Sequence, residues 1–219
     1  MRNQKAPSKG PFLFGKYLHT TIIIMKVLQM QTISVNDWLI SDVEISHETR
    51  VFYSESINMK GNAMGTGLHR ILCKFTITVE TAADTKKLNA LLLNIRGQLS
   101  PFELDLGSIH GWYNPLTTPN ATNVLNTSAV AQGATTMSLN NTTIPVGSYF
   151  QFPNDTKLYM VTAASGSNYN FFPAARFTTA ATSRINFSNP RLRLRLDSNV
   201  FSMKMGRAES ITLSAKEVL

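Results

Sequence analysis

Between His69 and Glu80 the chain alternates almost without fault, and that alternation commits it to a β-sheet with one buried face. Ile71, Cys73, Phe75, Ile77 and Val79 fall on one side, and Arg70, Lys74, Thr76, Thr78 and Glu80 on the other. Only Leu72 breaks the polar side. The period then changes. Leu88, Leu91, Leu92 and Ile95 stand at helical spacing and make one apolar stripe, which predicts a helix over about 84–96. Asp84 is placed to cap its start, and Gly97 stands where a left-handed residue ends a helix. Pro101 follows, and Phe102 to Leu106 alternates again. No other segment has a helical stripe of this quality. The expected fold is mainly β: a β-sandwich or barrel domain carrying one α-helix.

Composition narrows the class of protein. In 219 residues, 43% hydrophobic and 16% charged content suits a globular chain rather than a disordered one. Cys73 is the single cysteine and lies on the apolar side of its strand, so no intramolecular disulfide forms and burial is its expected role. The net charge of +8 suits either nucleic acid or acidic neighbouring subunits as partners. Residues 1–20 read as a basic arm with Pro7, Gly10 and Pro11, which would need a partner surface to hold it. The apolar run Thr21 to Met30 is too short to span a bilayer and is interrupted by Lys26. No small-residue cleavage site follows it, so neither a membrane span nor a signal peptide is expected.

The layout is read from strand style and turn signals. A strand or strand pair is expected within 22–35, and another within 48–59 through Val51, Tyr53 and Ile57. Gly61, Gly65 and Gly67 mark 58–67 as a loop or hairpin turn, without the lysine of a phosphate-binding loop. Residues 114–133, rich in Asn, Thr, Pro and Ala, read as a linker. Short strands are then expected at Thr135–Leu139, Ser148–Phe152, Lys157–Val161 and Tyr169–Phe172, with turns between them. That spacing fits a small OB-like β-barrel of about five strands. Strands at Arg191–Leu196, Phe201–Met205 and Ile211–Ser214 restore the first pattern. The expected organisation is an arm with first strands (1–44), a larger domain (45–118 plus 185–219), and an inserted OB-like domain (119–184).

The chain carries no recognisable catalytic set. His19, His47, His69 and His110 are isolated, no zinc-ligand spacing occurs, and no Gly-x-Ser-x-Gly elbow is present. No catalytic residue, cofactor or metal ligand is therefore expected. Glu103 and Asp105 share a strand face, where a solvated or salt-bridged pair outweighs a catalytic one. Arg191, Arg193 and Arg195 share one face of a strand and could track phosphates, but leucines rather than stacking aromatics stand between them. They read better as charge contacts to acidic groups of the same or a neighbouring subunit. Trp112, Tyr113, Tyr149 and Tyr159 are candidates for an aromatic surface.

The second half is similar to distal tail proteins of long-tailed bacteriophages, of the short type found in tequintaviruses. The likeness runs through Ile144-Pro145-Val146-Gly147-Ser148-Tyr149-Phe150, Lys157 to Thr162, Phe172-Pro173, Ile185-Asn186-Phe187, the arginine strand and Leu213 to Leu219. The strand and helix at 69–97 fit that family's first domain in order and length. The resemblance implies a structural virion protein: a homo-oligomeric, sixfold ring subunit at the tail tip, assembled in the host cytoplasm. Such a ring joins the tail tube protein to the baseplate hub and to tail fibre proteins, without membrane, cofactor or nucleic acid. Arg191, Arg193 and Arg195 then become candidate inter-subunit contacts. Two rivals remain. One is an OB-fold module binding host saccharide or single-stranded nucleic acid through Tyr149, Phe150, Tyr159, Tyr169, Phe171 and Phe172. The other is a tail hydrolase built on Glu103 and Asp105.

Overall fold

A computed structural model describes residues 30–107, 123–141, 143–203 and 209–218. By internal contacts the chain divides into Met1–Met30 and Gln31–Leu219, and the description concerns the second unit. The expected basic arm, the first part of the linker (114–122), and the aromatic candidates Trp112 and Tyr113 lie outside the described residues.

Among the described residues the fold is mainly β with one helix. The first region holds β1 (Gln31–Ser34), β2 (Leu39–Glu55), β3 (Gly61–Val79), α1 (Ala82–Ile95) and β4 (Phe102–Asp105). A second region holds β5 (Thr136–Ser138), β6 (Tyr149–Phe150), β7 (Tyr159–Ser165) and β8 (Asn168–Phe172). The chain then returns through β9 (Leu192–Leu196) and β10 (Glu209–Glu217). The two groups form separate sheets, β1-β4-β9-β10-β3-β2 and β5-β8-β7-β6. All pairings in the large sheet are antiparallel except β1 with β4.

Alternation decides which face of the large sheet is buried. Ile71, Cys73, Phe75 and Ile77 of β3 join Leu192 and Leu194 of β9 and Leu213 of β10 in one core with Leu88, Leu92 and Ile95 of α1. Burial pushes the Cys73 thiol up to about 12, so it stays a neutral hydrophobe. The opposite face is polar, with Thr76 bonded to Thr212 at 3.1 Å and Thr78 to Ser210 at 2.8 Å. The helix is capped by Thr81 rather than by Asp84. Thr81 is extended, and its Oγ1 accepts from the Asp84 backbone N–H at 3.1 Å. Asp84 stands one turn in, where it accepts from the same hydroxyl at 2.6 Å and favours the positive helix end. At the other end Arg96 already takes the left-handed conformation (φ 55°), and Gly97 follows it (φ 61°). A Cβ on Gly97 would stand 2.8 Å from the Asn199 backbone, so glycine also allows this close approach.

The second core draws on residues between Val124 and Phe187 and is rich in aromatic rings. Phe150 stacks on Tyr159 and Phe187, with centroids at 5.5 and 5.0 Å, and meets Phe152 and Phe171 edge-on. Its sheet has four strands rather than the five expected. Single antiparallel bridges lie outside these strands at Leu125–Arg184, Asn126–Leu139, Val130–Thr179 and Gln151–Asn186.

Two strand expectations need correction. The glycine-rich segment is not a loop: Gly61 to Gly67 belongs to β3, and the turn is shorter, with the Ser56 N–H donating to Lys60 O at 3.0 Å and Met59 at φ 56°. Gly65 and Gly67 stand in open space, with nothing within 4 Å of a Cβ, whereas at Gly61 a Cβ would meet the Tyr53 hydroxyl at 2.6 Å. Phe201 to Met203 forms no strand, and the rest of that expected element lies outside the described residues.

Candidate functional site

The hairpin of β2 and β3 is longer than the sheet it belongs to. Its first part is built into the large sheet, with Ile40 opposite Ile77 and Ile45 opposite Cys73. Beyond a register shift between Thr49 and Val51 it continues as a two-stranded arm, with Phe52 opposite Met64 and Tyr53 opposite Ala63. Neighbouring residues on a strand point to opposite faces, yet Val51, Phe52 and Tyr53 are all exposed. Phe52 is 71% exposed, Tyr53 66% and Met64 69%; Ile57 and Met59 crown the turn fully in the open. So large an apolar display on both faces of a bare ribbon marks an interaction surface. The sequence placed Val51, Tyr53 and Ile57 on an expected strand but did not single them out as a surface. The signal was the consecutive run Val51-Phe52-Tyr53, which breaks the alternation of a strand with one buried face.

The arginine row divides in two. Arg191 is engaged within the chain: its Nη1 donates to Glu103 Oε2 at 3.1 Å, and its Nε lies 3.9 Å from Asp105 Oδ2. This pairing also gives Glu103 and Asp105 a salt-bridge role on the strand face. Arg193 and Arg195 lie on the polar face of β9, and their guanidinium groups make no hydrogen bond or ion pair among the described residues. Tyr159 is not part of any aromatic surface. It is 1% exposed in the second core, with its hydroxyl donating to Asp155 at 2.6 Å, because burying the ring beside Phe150 satisfies both its apolar body and its polar tip. Phe150, Tyr169 and Phe171 are buried there too, while Tyr149 is half-buried near His47.

Where the arm leaves the sheet, a buried polar network ties the second region to the first. Lys157, just before β7, forms an ion pair with Glu217 at the end of β10, and both side chains are buried. Lys157 Nζ also donates to the His69 carbonyl at 3.1 Å. Glu217 accepts the backbone N–H groups of Ile71 at 3.0 Å and Leu158 at 3.2 Å. Burial holds the Lys157 pKa below the usual lysine range, an effect opposed by Glu217. His69 Nε2 lies 3.0 Å from His47 Nδ1, and the ring meets Phe172 edge-on. Its Nδ1 is buried and has no partner among the described residues. Desolvation, with the charges of Lys157 and His47 adding to it, lowers the His69 pKa to about 4. His47 and His69 are the described histidines, and no group of three or more His, Cys, Asp or Glu side chains suited to a metal occurs among the described residues. No helix among the described residues is long and apolar enough to cross a membrane. The sequence matches no protein-family model, and no curated protein is significantly similar to it.

Proposed function

We propose that this chain is a structural subunit that assembles with copies of itself, and that the assembly is a ring at the tip of a viral tail, as the resemblance to distal tail proteins implies. One observation carries the self-assembly reading: the β2–β3 arm extends from the large sheet and exposes Phe52, Tyr53, Ile57, Met59 and Met64 to water. An arm of this kind reaches a neighbouring copy away from its own root, which makes the contact heterologous and lets a closed ring form. Covering one such apolar side chain contributes about 1.5–3 kcal/mol, so several together sustain a stable interface. In this reading the tail tube, baseplate hub and fibres are its partners, and the chain performs no catalysis. The saccharide or single-strand reading loses most of its platform, because Phe150, Tyr159, Tyr169 and Phe171 are spent in the second core.

Native mass across a range of concentrations tests the proposal. The wild-type chain forms a discrete oligomer, and F52S/Y53S/M64S remains a folded monomer. A variant that assembles like wild type contradicts the arm's role, and a wild-type chain monomeric at every concentration contradicts self-assembly.

A further inference from the structure

We propose that the polar face of the large sheet, at Arg193 and Arg195, docks a carboxylate-rich surface of a different protein. Arg193 stands opposite Glu103 in the β4–β9 pairing, but Glu103 is already held by Arg191. Arg195 stands opposite Lys216, whose ammonium is engaged by Asp197 at 2.8 Å. Each guanidinium is thus next to a group that does not pair with it among the described residues: a carboxylate engaged by Arg191, or a cation of like sign. Both arginines are only half-buried, and in both Nε has no hydrogen-bond partner, so neither guanidinium is committed among the described residues. Beside Arg193 opens a cleft of about 420 Å³ between the sheet and the second region, lined by Arg191, Gln151, Asn186 and Asn189 and by Glu103 and Asp155, whose carboxylates are paired with Arg191 and Arg176. The planar guanidinium matches a carboxylate in shape and charge.

A second copy of this chain is a poor source of such carboxylates. Glu48, Asp84, Glu103, Asp105, Asp155, Asp197 and Glu217 are already in ion pairs within the chain, seven of its thirteen acidic residues. The arm, the surface most open to another copy, carries Glu55 but also Arg50 and Lys60, so it is not acidic. With a net charge of +8, one copy repels another across an arginine face. Charge complementarity therefore assigns this face to an acidic partner, separate from the contact between copies.

The full chain, titrated with a fluorescent oligo-glutamate peptide at low and raised salt, tests this by anisotropy. Neither guanidinium has an acceptor among the described residues, so R193S/R195S should keep its fold, which circular dichroism checks. The expected result is salt-sensitive binding that weakens about tenfold or more in R193S/R195S and is unchanged in K86S/K87S, which loses the same charge from α1. Absent binding by the wild-type chain, or equal loss in both variants, overturns the proposal. Tighter binding of an equally charged single-stranded oligonucleotide, lost with the same arginines, overturns it in favour of nucleic acid. Native mass is the final control: R193S/R195S assembles as wild type does, and its dissociation would make this face a contact between copies instead.

Discussion

The two ends of the β2–β3 hairpin have the same hydrogen-bonded ladder and opposite fates. At the root, β3 lies between β10 and β2, and Phe75 and Ile77 are fully buried beneath the core that includes α1. At the tip, Phe52 faces Met64 across the same kind of pairing, and nothing in the described residues covers either. The backbone ladder is indifferent to cover; side-chain burial depends on what lies above the strand. A two-stranded ribbon is marginal by itself, so the tip relies on the root for its position. The register shift between Thr49 and Val51 divides the two regimes. An apolar side chain at the root therefore serves the fold, and one at the tip serves a neighbour.

The same deletion at the two ends breaks the comparison most sharply. Phe75→Ala leaves a cavity in the large core and should lower unfolding free energy by about 3–5 kcal/mol in denaturant titration. Glu217→Ala should cost about as much, 3–5 kcal/mol, because it strands the buried Lys157 ammonium and the Ile71 and Leu158 N–H groups. Replacing both partners, K157M/E217L, should recover only the part owed to the stranded ammonium, since the Ile71 and Leu158 N–H groups stay without their acceptor. Acidification acts on the root at a somewhat smaller scale. His69 has a folded pKa of about 4 against 6.5 in the open chain, so the unfolded state binds its proton first. This contribution is complete above pH 6.5, declines as pH falls toward 4, and amounts to about 3 kcal/mol. His69→Phe should flatten that part of the stability–pH curve. Phe52→Ala, the smallest effect, should shift monomer stability by no more than about 0.5 kcal/mol while weakening assembly.

The root was legible in the sequence because two periods meet there. Strict alternation from Ile71 to Val79 and the stripe Leu88–Leu92–Ile95 each name a buried face, and the structure packs them into one core. The short strands of the second region were legible from their turns, which fall within a few residues of the observed strand ends. Cap identity was not, since Thr81 and Asp84 both suit the position and only backbone conformation separates them. Tyr159 carries the same amphipathic ring as a surface tyrosine; the Asp155 acceptor that permits its burial is a tertiary fact. The arm was hidden by its glycines, which read as a turn although an open ribbon accepts them, and partners for Arg191 lie on a strand far away in sequence. Lys157 and Glu217 meet across 60 residues, a distance over which no local pattern speaks.

Amide hydrogen exchange along β2 and β3, in dilute monomer and in assembled protein, tests the division between root and tip most directly. Root amides from Ile71 to Val79 should be protected in both states. Tip amides from Val51 to Tyr53 should exchange quickly in the monomer and slow by about tenfold or more on assembly. A tip as protected as the root in the monomer, or unchanged on assembly, would contradict the arm's role as the surface completed by a neighbour.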